Sequence, residues 1–295
     1  MTQSIALAQK FQPILDEIYK AASLTARMDA QTKPVDFAGA NVVKVFKTDP
    51  IGLGTYSRVS GYPAGQVVGA WETMTLSIER GRAFVIDRMD DEETLGMAFG
   101  TLASEFIRTE VAPELDAYRF AKYAGTSGIQ TVAGATLDAN SILTAIDAAK
   151  LALDQNEVPR EGRLLYISDA CLNLLEGKVS RFLANENVVD RTVNRFDGME
   201  VIMVPQTRFY TEVTLDAGAS VDVGGYSKTS NTGKDVNFMI IHPSSVLQVT
   251  KHAALKVFTP EENQTTDGWL VQYRIYHDAF VYDNKVNGIY LHKKA

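Results

Sequence analysis

One glycine-rich segment of the chain begins like a dinucleotide-binding loop. It reads GLGT at residues 52–55. Such a loop needs a third glycine and a helix whose N-terminus holds the pyrophosphate, but the chain continues YSRVSGYP, which does not open a helix. Neither Lys228 nor Lys234 lies in the GxxxxGK[ST] pattern of a phosphate loop. The segments around these residues are therefore predicted to be ordinary loops, with no nucleotide cofactor.

The remaining chemically active residue types lack the spacing of a catalytic or metal site. No HExxH pattern, no i, i+4 pair and no GxSxG segment accompanies the four histidines, His242, His252, His277 and His292. His277 falls on an otherwise apolar strand face, which favours a hydrogen-bonded core histidine. The acidic residues at 90–93 suit the positive end of a helix dipole better than a metal site. The sequence therefore predicts no enzyme, no cofactor and no metal.

Charge and cysteine content exclude further classes of protein. The net charge is -7, from 29 basic and 36 acidic residues among 295, whereas a dedicated nucleic-acid binder needs a clustered cationic surface. The single cysteine, Cys171, excludes an intrachain disulfide and is expected to be a small buried apolar residue. The N-terminus lacks the apolar core of a signal peptide, and no run of about 18 apolar residues occurs, so neither secretion by that route nor a membrane span is predicted.

The first 90 residues read as two extended arms. Residues 4–20 predict an amphipathic helix with a narrow apolar stripe, and the stretch to Phe37 has no sustained period. Two strand patterns then flank a glycine-punctuated segment, and in the second pattern Met74, Leu76 and Ile78 alternate with polar residues. This predicts a long hairpin that depends on neighbours for stability, because isolated two-stranded ribbons are marginal in water.

The next segment predicts one long, kinked helix from Asp90 to about Ala124. Its apolar stripe steps by three and four residues to Phe106 and restarts at Val111 after a five-residue gap. We attribute this slip to a kink at Pro113, whose ring removes one helical hydrogen bond.

The second half predicts a compact α+β unit followed by long strands. Helix patterns at 137–153 and 169–175 alternate with strand patterns at 163–167, 198–204 and 236–242. A thirteen-residue alternation from Trp269 to Val281 then predicts a long strand, and Asn287-Gly288 predicts a hairpin turn into IYLH. Because strands lie on both sides of the α+β unit, that unit is predicted to be an insertion.

Two segments carry a resemblance to a known family. The segment FIRTEVAPELDAYRFAKYAG (106–125) resembles the spine-helix signature of major capsid proteins from tailed phages of Gram-positive hosts, through Pro113, Glu114, Asp116, Tyr118 and Arg119. The segment DVNFMIIHPSSVLQVTKH is similar to that family's passage from the inserted domain back to the peripheral sheet. The resemblance covers essentially the whole chain, and it implies an α+β fold of the Hong Kong 97 type, with N-arm, extended β-hairpin loop, long spine helix, peripheral β-sheet domain and inserted axial α+β domain.

The resemblance also implies boundaries and a function. Residues 1–37 would be the N-terminal arm, 38–90 the extended loop, 91–134 with 249–295 the peripheral domain, and 135–248 the axial domain. The implied function is a major capsid protein that self-assembles through hexamers and pentamers into an icosahedral head shell around double-stranded DNA. The expected location is the virion, after assembly in the host cytoplasm.

The expected partners follow from the same resemblance. Because the arm starts within a few residues of Met1, we expect a separate scaffolding protein, besides a portal protein and a possible decoration protein. Packaged DNA would be contacted weakly and non-specifically. The lysine, asparagine and glutamate set that crosslinks some family members has no residue-by-residue match here.

Charged residues at the hairpin base and in the peripheral sheet are our candidates for inter-subunit ion pairs: Glu79, Arg80, Arg82, Asp87, Arg88, Lys251 and Lys256. A merely solvated charge is the alternative for each of them.

The capsid function has three alternatives. An encapsulin-like, cargo-enclosing shell uses the same fold, and neighbouring genes would distinguish it. A soluble α/β enzyme lacks the motifs described above. A tail or fibre subunit would need sequence repeats, and none occurs.

Overall fold

The computed structural model describes residues 23–29, 41–49, 51–65, 68–89, 104–178, 193–219 and 223–295. The chain divides into two compact units: one is Lys33–Ile78, and the other combines Met1–Thr32 with Glu79–Ala295. The helix predicted over 4–20 and the helix start predicted at 90–93 lie outside the described residues.

The helical segments of the described residues are α1 (Ala26–Asp29), a π-helical turn (Ile107–Val111), α2 (Ala112–Ala124), α3 (Ser141–Gln155) and α4 (Asp169–Lys178), with short 3-10 turns at Gln206–Arg208, Pro243–Ser245 and Asp283–Gly288. The strands are β1 (Val42–Asp49), β2 (Val68–Thr75), β3 (Ile78–Asp87), β4 (Gln130–Val132), β5 (Leu164–Ser168), β6 (Arg195–Phe196), β7 (Met199–Val204), β8 (Val213–Leu215), β9 (Tyr226–Lys228), β10 (Val236–Ile241), β11 (Val246–Phe258), β12 (Gly268–Val281) and β13 (Ile289–Lys293).

The unit Lys33–Ile78 is built on the predicted hairpin. Strands β1 and β2 pair antiparallel, from Val42 opposite Thr75 to Asp49 opposite Val68. Met74 and Leu76 are buried while Thr73 and Thr75 are exposed, as the alternation predicts. The hairpin prediction is therefore confirmed.

The helix before the inserted unit accommodates its five-residue step in an unexpected way. Residues 104–124 are helical throughout, and a π-helical turn occupies Ile107–Val111. The N–H of Ala112 donates to the carbonyl of Ile107, so the turn is one residue wider than an α-helical turn. Phe106 and Val111 consequently pack on the same apolar cluster. The slip is absorbed by this turn directly before Pro113, which corrects the attribution to the proline alone.

The six-stranded sheet has the order β4-β13-β10-β5-β7-β6, and both of its faces are covered. Leu165 and Ile167 pack with residues of α3 and α4 on one side. Leu164 and Tyr166 pack on the other side with a cluster that includes Phe120 of α2. Central strands buried on both faces need continuous apolar runs, which explains LLYIS and VNFMII.

The predicted hairpin at Asn287-Gly288 is wrong. Residues Asp283–Gly288 form a 3-10 turn, and β13 pairs antiparallel with β10 and parallel with β4 instead of with β12. Ile289 and Leu291 are buried in the six-stranded sheet's core. A Cβ on Gly288 would meet Ser245 Oγ, so the glycine serves close packing here.

The three-stranded sheet has the order β11-β12-β3. Strands β11 and β12 form a hairpin from Val246 opposite Val281 to Phe258 opposite Leu270. This sheet combines β3, which precedes the α+β unit, with β11 and β12, which follow it. That the unit is an inserted domain stays a prediction. Val271 and Tyr273 of β12 pack with Ile107 of the helix, which confirms the apolar face predicted for this strand.

Cys171 and His277 are both buried in the structure. Cys171 is buried among apolar side chains of α3 and α4, as expected. His277 is also buried, but its Nδ1 has no hydrogen-bond partner among the described residues, so the prediction of a hydrogen-bonded histidine is not met at that atom. None of the helices described is long and apolar enough to cross a bilayer.

Candidate assembly surfaces

The tip of the hairpin, residues 51–65, is held in shape by bonds within itself. Ser57 and Gly61 exchange backbone hydrogen bonds of 3.1 and 2.8 Å. The hydroxyl of Ser57 accepts from the N–H groups of Val59 and Ser60 at 3.2 and 3.1 Å. Gly61 has a φ of 77°, a left-handed conformation that glycine adopts without strain. The turn is therefore formed before any partner binds.

Side-chain contacts add to this preorganisation. The rings of Tyr56 and Tyr62 pack with their centroids 4.9 Å apart. A Cβ on Gly54 would lie 2.6 Å from Cγ of Pro63, so the two sides of the tip approach closely at a glycine. Binding of a partner to this tip would cost little conformational entropy, because the tip is already ordered.

The tip nevertheless leaves its apolar side chains in water. Leu53, Val59 and Tyr62 are 107%, 99% and 88% exposed. Further exposed apolar residues of the same unit are Phe46, Ile51, Tyr56 and Trp71. Burying a valine or leucine fully gains about 1.5–3 kcal/mol, so the chemistry that this surface supports is apolar docking of another protein.

Residues 23–29 are the described part of the predicted N-terminal arm, and they enter a core. The fully buried carboxylate of Asp116 on α2 accepts from the hydroxyls of Ser23 and Thr25 at 2.8 and 2.7 Å. It also accepts from the backbone N–H groups of Leu24 and Thr25 at 2.9 and 3.2 Å. Arg208 lies 3.4 Å from the same carboxylate. One side chain thus accepts hydrogen bonds from three consecutive residues, 23–25.

A second helix residue completes this anchor. Arg119 is 1% exposed and donates to the hydroxyl of Thr25 at 2.9 Å, and it lies 3.6 Å from Asp29. Met28 is fully buried in the core of the six-stranded sheet. The sequence pattern named Asp116 and Arg119 as motif residues but did not reveal that they bind the N-terminal segment.

A buried polar group joins the helix to β12. Tyr118 donates to the carboxylate of Asp278 at 2.7 Å, and Lys122 lies 3.9 Å from it. The ring of His277 packs edge-to-face on Tyr118, with centroids 5.6 Å apart. Burial, followed by the positive charge of Arg119, lowers the pKa of His277 to about 3. This histidine is therefore neutral at pH 7.

Several of the predicted inter-subunit residues have partners within the chain. Glu79 binds Arg274, Arg80 binds Glu114, and Arg82 donates to the carbonyl of Val223. The carboxylate of Asp87 accepts from the N–H of Met89 at 2.9 Å, and the side chains of Asp87, Arg88, Lys251 and Lys256 are exposed. Their contact with another subunit stays a prediction, as it does for the first three.

No group of three or more metal-ligating side chains occurs among the described residues. The described residues combine exposed apolar side chains at the tip with charge-assisted hydrogen bonds around the helix.

Solved structures share this architecture. The capsid structure of the cyanophage P-SCSP1u matches 88% of this chain and 85% of that chain, with a TM-score of 0.59 and 12% sequence identity. A structure from Microbacterium phage Oxtober96 matches 93% of this chain and 91% of that chain, with a TM-score of 0.63 and 11% identity. The chain has a phage capsid fold.

A virus-like particle also shares this architecture. The virus-like particle from Pyrococcus furiosus matches 96% of this chain and 98% of that chain, with a TM-score of 0.54 and 10% identity. No protein-family model and no curated protein matches the chain. Because the matches cover nearly all of this chain, the capsid fold includes both sheets and is not a property of one domain.

Proposed function

We propose that this protein is the major capsid protein of a tailed phage, of the Hong Kong 97 type, and that it self-assembles into the icosahedral head shell around double-stranded DNA. The observation that carries the proposal is the capsid fold over nearly the whole chain. The exposed apolar tip of the hairpin supports it, because a shell subunit needs surfaces that a second copy covers.

The proposed domains follow the boundaries expected from the sequence, with two additions. The hairpin β1–β2 is the centre of the extended loop at 38–90. The three-stranded sheet and the spine helix, defined as helical residues 104–124, belong to the peripheral domain at 91–134 and 249–295. The six-stranded sheet forms the axial domain at 135–248, and β4 and β13 add to it from outside that range.

Assembly proceeds by docking of preformed surfaces. The hairpin tip of one subunit buries Leu53, Val59 and Tyr62 against a second copy. Many such contacts of modest free energy close a shell, because each is repeated by symmetry. Hexamers and pentamers are the proposed intermediates, and scaffolding, portal and decoration proteins stay predictions.

The negative net charge of the chain fits a shell that encloses DNA better than a protein that binds DNA tightly. With a net charge of -7, purified subunits should hold DNA weakly and without sequence preference. The proposed location is the virion head shell, with assembly in the host cytoplasm.

The test is expression of the full chain, alone and together with its genomic neighbours, followed by electron microscopy. Closed particles of uniform diameter are expected in at least one of the two preparations. A chain that remains monomeric in both would overturn the proposal.

The same particles distinguish the cargo-enclosing alternative, which the comparisons do not favour. Particles that fill with DNA when a packaging motor is supplied would support the capsid function. Particles that instead retain one co-expressed protein would support the cargo shell.

A further inference from the structure

Arg80 on β3 joins three segments that are distant in the sequence. Its Nε and Nη2 donate to the two carboxylate oxygens of Glu114 at 2.6 and 3.0 Å. Its Nη1 donates to the carbonyl of Asp216, and Nη2 also donates to the carbonyl of Gly225 at 3.1 Å. Asp216 directly follows β8 and Gly225 directly precedes β9. One guanidinium thus connects a sheet, the spine helix and both ends of the β8–β9 connection.

Arg82 repeats this contact two residues further along the same strand face. Its Nη1 donates to the carbonyl of Val223 at 2.8 Å. A Cβ on Gly218 or Gly224 would lie 3.3 or 3.4 Å from that nitrogen. Gly218 also has a φ of 69°, which favours glycine. The carbonyl of Val223 therefore points toward the Arg82 guanidinium, and two glycines lie beside it.

Glu114 connects Arg80 to the spine helix. Glu114 lies in the first turn of α2, directly after the π-helical turn Ile107–Val111. Such turns occur frequently at functional sites. The side chains of Arg80 and Glu114 are only 23% and 18% exposed, and a bidentate pair of this kind is strong and directional. The hydrogen bond to Glu114 raises the pKa of Arg80, so the guanidinium stays charged.

The ribbon made of β8 and β9 is held mainly by polar contacts. Tyr226 donates to the carbonyl of Thr207 at 3.0 Å, and Lys228 pairs with Asp235 at 2.9 Å. Each strand has three residues, and neither strand contributes a side chain to the buried apolar clusters found among the described residues. A short two-stranded ribbon is marginal by itself. Its position therefore depends on polar contacts, of which those of Arg80 and Arg82 reach the spine helix and β3.

We propose that this arginine latch, made of Arg80, Arg82 and Glu114 with the carbonyls of Asp216, Val223 and Gly225, fixes the β8–β9 ribbon to the spine helix and thereby sets the curvature of assembly. The inference rests on the proposed function for its second half. A ribbon that shifts changes the surface that a subunit offers to the next copy. Small angular errors then add up over a closed shell, so the latch acts on particle size.

The test compares Arg80→Ala with Arg108→Ala. The control removes another arginine paired with a carboxylate, but that pair is exposed and lies within one helix. Hydrogen–deuterium exchange is measured on unassembled full-length chains, and particle diameters are measured by electron microscopy after assembly. In Arg80→Ala, exchange at 213–219 and 223–228 should rise by roughly tenfold and the distribution of diameters should broaden, while the control behaves like the wild type.

Each part of the proposal has its own contrary result. Unchanged exchange in Arg80→Ala overturns the latch, whether or not particles form. Raised exchange with wild-type diameters overturns the effect on curvature. A wild-type chain without particles overturns the proposed function and the curvature step together, and exchange still tests the latch. If Arg80→Ala does not fold, Arg80→Lys gives the same readouts, because lysine keeps the charge and loses the bidentate geometry.

Discussion

Residues 23–29 and the hairpin tip 51–65 are both short and irregular, but they place their apolar side chains oppositely. Met28 is fully buried, whereas Leu53 and Val59 are fully exposed. The buried segment gives its hydrogen-bond donors to one carboxylate, Asp116, on a distant helix. The tip satisfies its backbone through its own Ser57 and Gly61. The distant carboxylate allows residues 23–25 to be buried, whereas the tip forms its own hydrogen bonds and leaves Leu53 and Val59 exposed.

The largest effect is expected from Asp116→Ala. This change leaves two hydroxyls and two backbone N–H groups buried without their acceptor. Each such donor costs about 1–3 kcal/mol, and partial relaxation reduces the sum to about 3–5 kcal/mol of unfolding free energy. Urea denaturation of the unassembled chain measures the loss.

The matched control for this change is Asp147→Ala, which removes an exposed carboxylate from α3 and should alter stability by less than about 0.5 kcal/mol. Equal stability of Asp116→Ala and the wild type would show that residues 23–29 are not anchored through this carboxylate.

A somewhat smaller effect is expected from pH acting on His277. Its pKa is about 3 in the folded chain and near 6.5 when unfolded, so the unfolded state binds the proton first as pH falls. The contribution of neutral His277 to the unfolding free energy is therefore complete above pH 6.5, and it is lost as the pH falls from 6.5 to about 3. Two pH units of this window, from 6.5 to 4.5, correspond to about 3 kcal/mol.

The comparison that isolates this histidine is His277→Gln, which cannot titrate. Unfolding free energies measured from pH 7.5 to 4.5 should fall by about 3 kcal/mol more in the wild type than in the variant. Parallel pH profiles for the two proteins would refute a role for His277.

The smallest effect on stability is expected at the tip, where assembly should respond most. Leu53→Asp with Val59→Asp should change the unfolding free energy by less than about 0.5 kcal/mol, because both side chains are exposed in the single chain. Particle yield should fall by at least about tenfold, because two apolar contacts are lost. The control, Leu53→Met with Val59→Ile, keeps the surface apolar and should assemble normally. Full particle yield from the aspartate variant would contradict docking through the tip.

Local sequence patterns predicted the elements in which apolar side chains repeat with the period of the secondary structure. The alternation around Met74 and Leu76 gave the hairpin, and the long alternation from Trp269 to Val281 gave β12. The apolar runs of β5 and β10 gave the central strands of the larger sheet. In each of these, side chains of one local segment repeat with the period of the secondary structure, so no distant residue is needed to recognise them.

Other features depended on partners that the sequence does not place. Asn287-Gly288 is an ordinary hairpin signal, but β13 gains more burial by joining β10 than by pairing with β12. The polar residues Asp116 and Arg80 carry no periodic signal, and their partners lie 34 to 145 residues away. The five-residue step before Pro113 was visible, but only the packed helix shows that a π-helical turn keeps both ends of the stripe on one cluster.

The sequence by itself determined the kinds of many elements and their order along the chain, because these follow from backbone propensity and hydrophobic period. The tertiary structure decided which strand β13 joins, which carboxylate holds residues 23–29 and which charged residues bind within the chain. Those choices depend on burial and hydrogen-bond satisfaction between segments far apart in the chain, and these are properties of the packed fold.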